Sequence, residues 1–108
     1  MGHPLLLRTM DHTKAVSALE SLGNETRLNL FRILVRAGNT GMPVGKLRER
    51  LAIPGSTLSH HLSQLVSAGL ISQTREGRVL RCQADFAVMR DLLAYLTDEC
   101  CADEDSAC

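Results

Sequence analysis

Three of the four cysteines in this 108-residue chain lie close together near its end, at Cys100, Cys101 and Cys108. Thiolates are soft ligands, and soft ions such as trivalent arsenic and antimony favour a pyramidal set of three of them. Adjacent cysteines diverge on an intact helix, but at a frayed helix end they can turn inward together. The short segment 102–107 lets Cys108 fold back at little entropic cost. By itself, however, the spacing favours an incidental or redox-active set over a metalloid site.

A second group of polar residues occupies the start of a predicted helix over residues 56–68. Its apolar residues at helical spacing are Leu58, Leu62 and Leu65, which should face a core. This leaves a set of small polar residues and one imidazole on the outward faces: Ser56, Thr57, Ser59, His60 and Ser63. Small hydroxyls allow close approach to phosphates and base edges, although Ser and Thr at a helix start are also common caps. Taken as a set after a short basic helix, these residues favour DNA contact.

The adjacent pair His60 and His61 resembles a metal-binding pair at first sight. Neighbouring side chains on a helix point about 100° apart, so the two rings do not converge on one ion. We expect one of them to face DNA and the other to pack against its neighbours.

Two arginines lie beside a predicted hairpin turn. Arg75 and Arg78 flank the pair Glu76-Gly77, which is typical of a two-residue turn in a β-hairpin over about residues 70–83. Arginines at such a tip can reach phosphates or the minor groove, whereas the alternative is an ordinary solvated hairpin. The charge distribution favours the first interpretation.

The chain is formally neutral, with 12 basic and 12 acidic residues, which taken whole argues against nucleic acid as a partner. Five of the acids and none of the bases lie in residues 97–108, so residues 1–96 hold 12 bases against seven acids, a net charge of +5. The neutral total therefore combines a basic body with a short acidic tail. With one Tyr, two Phe and no Trp, the chain lacks aromatic platforms for single-stranded bases.

The elements that must position these residues follow from apolar periodicity and stop signals. The sequence predicts helices over residues 11–22, 25–37, 44–51, 56–68 and 86–101, with the hairpin before the last of them. This order predicts a mainly α fold with a β-hairpin wing, a winged helix–turn–helix, in one domain over residues 11–101. The helix–turn–helix covers about residues 43–68, residues 1–10 form an N-terminal extension, and residues 102–108 form the acidic cysteine-containing tail.

Several classes of protein are disfavoured. The longest apolar run is Leu5-Leu6-Leu7, far short of a membrane span, and no signal peptide is evident. We therefore expect no membrane association and a cytoplasmic location, where thiols stay reduced. The chain lacks a nucleophile–base–acid set and a glycine-rich phosphate loop, so we expect no enzyme activity.

Two segments carry a specific resemblance. Residues 24–30, Asn-Glu-Thr-Arg-Leu-Asn-Leu, and residues 59–71, which begin Ser-His-His-Leu and end Ala-Gly-Leu-Ile, resemble the ArsR/SmtB family of metal- and metalloid-responsive repressors. The resemblance covers about residues 11–97. It implies a homodimer that binds palindromic double-stranded operator DNA and releases it when an ion binds. It also implies a recognition helix holding Ser56, Thr57, Ser59 and His60, and dimer contacts from segments 11–22 and 86–101.

The inducer site differs between members of that family. Residues 44–51 lack the cysteines of the founding arsenic site, and residues 86–101 lack the histidine of the zinc and cobalt site. The terminal cysteines are similar to those of arsenite-responsive members with a Cys-Cys pair and a later Cys. The resemblance thus implies Cys100, Cys101 and Cys108 as ligands of arsenite or antimonite as the inducer, with no organic cofactor.

Other uses of the cysteines stay open. The same thiols could serve a redox-responsive repressor, or Zn(II) or Cd(II) with a fourth ligand from Asp103, Glu104 or Asp105. A metal-handling enzyme or chaperone is the least favoured reading. Cys82 is expected to be a small buried hydrophobe, although a ligand role remains possible if the tail folds towards the wing.

Overall fold

The computed structural model describes residues 10–104, so most of the predicted N-terminal extension and the end of the tail lie outside the described residues. In chain order the elements are α1 (His12–Leu22), α2 (Glu25–Ala37), a 3-10 turn (Gly38–Thr40), β1 (Met42–Pro43), α3 (Val44–Leu51), α4 (Gly55–Ser67), β2 (Ile71–Glu76), β3 (Val79–Ala84) and α5 (Phe86–Thr97). Helices α3 and α4 form the helix–turn–helix, and β2 and β3 form the wing. No helix among residues 10–104 is long and apolar enough to cross a membrane.

Side-chain caps fix the starts of three helices. The carboxylate of Asp11 accepts from the Lys14 amide at 2.8 Å at the start of α1, and the amide oxygen of Asn24 accepts from the Arg27 amide at 3.0 Å at the start of α2. Asp85 accepts from the Val88 amide at 3.0 Å at the start of α5. Each cap satisfies an amide that the helix itself leaves without a partner.

The wing is part of a three-stranded antiparallel sheet with β3 in the centre. Strand β1 was not predicted; it pairs Met42 with Cys82 and ties the start of α3 to the wing. The predicted hairpin is confirmed, but its turn is shifted by one residue, because Glu76 pairs with Val79 and the turn is Gly77-Arg78. Gly77 has φ +63°, a left-handed conformation that favours glycine, and it occupies the first turn position. Arg78 therefore lies in the turn itself.

The core is aliphatic, as the composition predicts. Helix α2 contributes Leu30, Phe31 and Leu34, and α4 contributes the predicted inward residues Leu58, Leu62 and Leu65, all buried. Burying one such side chain stabilises the fold by about 1.5–3 kcal/mol. The shared core holds α4 and the wing in a fixed relation, so the outward faces of both are presented by a rigid support.

The last helix is shorter than predicted. The sequence predicted a helix to residue 101, but α5 ends at Thr97, because Asp98 has the extended conformation φ −58°, ψ 132°. The Thr97 hydroxyl donates back to the Leu93 carbonyl at 3.0 Å and closes this end of the helix. Beyond it the chain turns, with positive φ at Glu99 and Cys101. The cysteine pair thus lies on a turn after α5 and not on a frayed helix end.

Candidate DNA interface and cysteine segment

The outward side of α4 carries the polar residues that the sequence singled out. All five side chains are exposed, and we call them the recognition face: Ser56, Thr57, Ser59, His60 and Ser63. The N-cap of α4 is Pro54, and no side chain caps this helix end. The hydroxyls of Ser56 and Thr57 are therefore not used as caps, which was the main alternative to a role in binding. Hydroxyls next to unused helix amides are suited to phosphate.

The two histidines of α4 have separate environments. His60 is exposed, whereas His61 is half-buried, and its Nδ1 lies 3.3 Å from Nη1 of Arg27 on α2. Because an arginine can only donate, His61 accepts through Nδ1 and is neutral in this contact. Burial, then the charge of Arg27 and then that of His60 lower the pKa of His61. As predicted, one of the pair packs against its neighbours; contact of His60 with DNA stays a prediction.

The three arginines of the wing have different environments. Arg75 on β2 and Arg78 in the turn are exposed. Arg81 on β3 instead donates through Nε to Glu76 at 3.0 Å and through Nη1 to the Thr40 carbonyl at 3.3 Å. Arg81 thus fastens the wing to the 3-10 turn, while Arg75 and Arg78 extend towards solvent.

A groove of about 280 Å³ runs between α4 and the wing. It is bordered by the recognition-face residues Ser59 and Ser63, and also by Ser67 and Gln73, which were not predicted. Ser67 lies one helical turn beyond Ser63, so the serine spacing was the available signal. Gln73 could not be found in this way, because its position beside α4 depends on how the wing folds back.

The cysteine segment, residues 98–104, brings two of the predicted ligands together. The Sγ atoms of Cys100 and Cys101 lie 3.6 Å apart. Cys101 is disulfide-bonded, whereas Cys100 carries a thiol. Cys108 lies outside the described residues. Within residues 10–104 no three His, Cys, Asp or Glu side chains are grouped to hold a metal ion.

Cys82 is fully buried on β3, as predicted. Burial raises the pKa of its thiol, and the hydrogen bond from Gln73 Nε2 at 3.5 Å only partly offsets this effect. A buried thiol in its protonated form is a poor ligand and a poor nucleophile. Cys82 therefore packs as a small apolar side chain in this structure.

Comparison with known proteins identifies relatives of this chain. A family model described as a helix-turn-helix domain matches residues 22–74. A protein named as an arsenical resistance operon repressor, ArsR, from Halobacterium salinarum is 40% identical over 63 residues, which cover 58% of this chain and 48% of that protein. An uncharacterised helix–turn–helix transcriptional regulator of Methanocaldococcus jannaschii is 36% identical over 66 residues, covering 61% of this chain and 72% of that one. The solved structure of an ArsR-like transcriptional regulator from Rhodococcus has the same fold, with a TM-score of 0.72 at 24% identity over 87% of this chain and 85% of that chain.

The chain belongs to the ArsR family. The winged helix–turn–helix fold predicted for it is confirmed. Members of the ArsR family are transcriptional regulators, so the prediction that this chain is not an enzyme is also confirmed. The chain matches about half the length of the Halobacterium relative. The family-model match ends at residue 74, before α5 and the cysteine segment.

Proposed function

We propose that this ArsR-family chain is a homodimeric repressor that binds palindromic double-stranded operator DNA and releases it when trivalent arsenic or antimony binds Cys100, Cys101 and Cys108. The observation that carries the proposal is the 3.6 Å separation of the Cys100 and Cys101 Sγ atoms on the turn after α5. The relative from Halobacterium named as an arsenical resistance repressor supports it.

The DNA-binding half rests on exposure and charge. The recognition face projects from a rigidly packed helix, and Arg75 and Arg78 lie exposed on the wing beside it. A dimer would present two recognition faces to successive major grooves about 34–36 Å apart, with the wing arginines on the flanking phosphates. Such contacts release counterions, so binding should weaken steeply as salt is raised.

The inducer half rests on sulfur chemistry. The Sγ atoms of Cys100 and Cys101 lie 3.6 Å apart, which is close enough for both sulfurs to bind one soft ion. Arsenous acid would form three arsenic–sulfur bonds with three thiols and release three waters. The disulfide at Cys101 must first be reduced, because only thiols and thiolates serve as ligands.

The position of the cysteine segment suggests how binding would reach DNA. The segment begins directly after α5, and Tyr95 of α5 shares a 2.8 Å hydrogen bond with His12 of α1. Helix α1 in turn packs against α2 and α4. An ion that pulls the segment into a new shape would shift α5 and α1 and, through them, the recognition face. The usual coupling of about 1–3 kcal/mol is reciprocal, so DNA must weaken metalloid binding equally.

The experiment is release of a fluorescent operator fragment from the chain's own promoter region, measured by anisotropy in the presence of reductant. We expect arsenite to release the wild-type protein, and the Cys100→Ser protein to bind DNA normally and remain bound. Cys82→Ala is the matched control, because Cys82 is buried on β3 and burial raises the pKa of its thiol, and arsenite should still release this variant. Arsenite-induced release of Cys100→Ser would refute the site.

A redox-responsive repressor is the second candidate, and the disulfide at Cys101 beside the Cys100 thiol favours it. In this alternative, hydrogen peroxide takes two electrons and two protons from a pair of tail thiols, forming their disulfide and two waters. Release by peroxide in the absence of reductant, together with no response to arsenite in its presence, would select this candidate over the first.

A further inference from the structure

A polar cavity of about 220 Å³ lies between α1, α2 and α4. Three helices enclose it, and its lining is mostly polar: Ser17, Glu20 and Ser21 from α1, Arg27 from α2, and Gln64 and Ser67 from α4, with the adjoining Ala68. Two features of this lining indicate that the cavity binds a ligand.

The first feature is a buried hydroxyl without a partner. Ser21 is only 6% exposed, and its Oγ is the one buried side-chain oxygen or nitrogen among the described residues that makes no hydrogen bond. Leaving such a group unsatisfied costs about 1–3 kcal/mol. Alanine at this position, beside Ala15 and Ala18 in the core, would avoid that cost. The Ser21 hydroxyl therefore indicates a hydrogen-bond partner from outside the chain.

The second feature is a half-buried positive charge. Arg27 Nε donates to the Ser21 carbonyl at 2.6 Å, and Nη1 lies 3.3 Å from Nδ1 of His61, while Nη2 forms no hydrogen bond with any residue of 10–104. No carboxylate within residues 10–104 forms an ion pair with Arg27. Partly buried charges are normally paired, and a guanidinium favours carboxylate or phosphate in a planar fork.

We propose that this cavity binds a small tetrahedral oxyanion of the phosphate or sulfate class. Arg27 would supply the charge and the Ser21 hydroxyl a buried donor, and Ser17, Gln64 and Ser67 supply further donors from two helices. The volume is below the roughly 300–1,000 Å³ typical of larger organic ligands, so it suits an inorganic anion or one phosphate group. The carboxylate of Glu20 at the exposed rim repels an anion, so removing its charge should strengthen anion binding.

The site lies where an anion would matter to regulation. It would join α1 to α4 through Ser21 and Gln64, with Arg27 between them, and so fix the recognition helix against α1. Two sources share this chemistry: a free anion, or a phosphate of the DNA backbone passing the side of α4. The experiment has one arm for each source.

The first arm measures binding of inorganic phosphate to the full chain by calorimetry at constant ionic strength, without DNA or arsenic. We expect saturable binding to the wild-type protein and affinity about tenfold or more weaker for Ser21→Ala, because a charge-assisted hydrogen bond is lost. Ser21→Ala should unfold at an equal or higher temperature, since it loses an unsatisfied hydroxyl. Glu20→Gln should bind phosphate more tightly, and Arg36→Gln, an exposed arginine at the far end of α2, is the matched control and should bind as wild type.

The second arm measures operator affinity against salt concentration for the wild-type, Ser21→Ala and Arg27→Gln proteins. If a DNA phosphate is the natural occupant, both variants should weaken operator binding, and Arg27→Gln, which alone loses a cation, should lower the salt slope by about one. If a free anion is the occupant, Ser21→Ala should leave operator affinity unchanged in the absence of phosphate while it weakens phosphate binding in the first arm. Wild-type affinity for phosphate in Ser21→Ala, or no phosphate binding together with an unchanged salt slope, would overturn the proposal.

Discussion

The histidine pair of α4 illustrates how one residue step changes a side chain's chemistry. His60 faces solvent on the recognition face, while His61 turns towards α2 and accepts from Arg27. The divergence follows from helical geometry and could be predicted from the sequence. The partner of His61 could not, because Arg27 is 34 positions away and is brought close only by the packing of α2 against α4.

This contact predicts a pH dependence of stability. Because the pKa of folded His61 is lowered, the unfolded chain binds more protons than the folded one just below the ordinary value of about 6.5, and stability falls as pH falls through that range. His61→Gln cannot take up that proton. We expect its urea midpoint to drop less than that of the wild type between about pH 7.5 and about pH 5.5.

The neighbouring His60→Gln variant is the control for this measurement. It keeps the burial of His61 and the charge of Arg27, which are the two larger causes of the lowered pKa. It should therefore retain most of the wild-type pH dependence. Equal drops for the wild type and His61→Gln would show that His61 does not contribute.

At the scale of elements, local signals determined what the sequence could predict. Helices α2 and α3 have the predicted bounds, because Asn24 caps one and Pro43 precedes the other. The hairpin turn was placed one residue early, since both positions beside Gly77 are compatible with a two-residue turn and strand pairing decides between them. Strand β1 has only two residues, too few to produce an alternating pattern.

The end of α5 and the turn of the cysteine segment could not be predicted from the sequence. The apolar periodicity of α5 continues past Leu96, but the chain leaves the helix at Asp98, and Cys101 has φ +61°. A left-handed non-glycine residue is unfavourable in isolation, and the surrounding turn must hold it. The closeness of the two sulfurs could be proposed from the sequence, whereas the turn that creates it could not.

The junction of β1 with the wing depends on one glycine. Gly41 has φ +69°, and a Cβ there would collide with the Cys82 carbonyl and the Gln83 side chain. Gly41→Ala should therefore lower the free energy of unfolding by about 2–3 kcal/mol, because it adds backbone strain to a clash with the central strand. Chemical denaturation of the variant measures this loss.

Gly45 on α3 is a matched control with the opposite sign. It lies inside a helix, and a Cβ there meets no atom within 4 Å. Gly45→Ala should stabilise the fold by about 0.5–1 kcal/mol through helix propensity. A Gly41→Ala protein as stable as the wild type would contradict the close approach described here.

On the scale of the whole molecule, charge and shape both indicate a chain that functions with partners. The neutral total separates into a basic body and an acidic tail that contains the cysteines. The radius of gyration is 16.2 Å, above the roughly 13 Å of a compact domain of about 100 residues. An elongated chain buries less of its own apolar surface, and α1 and α5 carry much of what remains.

That apolar surface predicts where two copies would meet. Four of the exposed large apolar side chains lie on the two helices joined by the His12–Tyr95 hydrogen bond: Val16 (40% exposed), Leu19 (44%), Leu93 (56%) and Leu96 (55%). In a two-fold dimer each of them would be buried twice, so one leucine would contribute about 3 kcal/mol or more to association. Leu93→Glu should therefore weaken dimerisation by about 100-fold or more, as measured by size-exclusion chromatography with light scattering.

Val79→Glu tests whether this effect belongs to the α1–α5 surface. Val79 is 41% exposed but lies on the wing, so its charged variant should keep the wild-type dimerisation constant. If two recognition faces read the operator half-sites at once, as proposed above, Leu93→Glu should also lose operator affinity at concentrations where it is a monomer. A Leu93→Glu protein that stays dimeric at wild-type affinity would place the dimer interface elsewhere, and the route from the cysteine segment through α5 to DNA would then have to be abandoned.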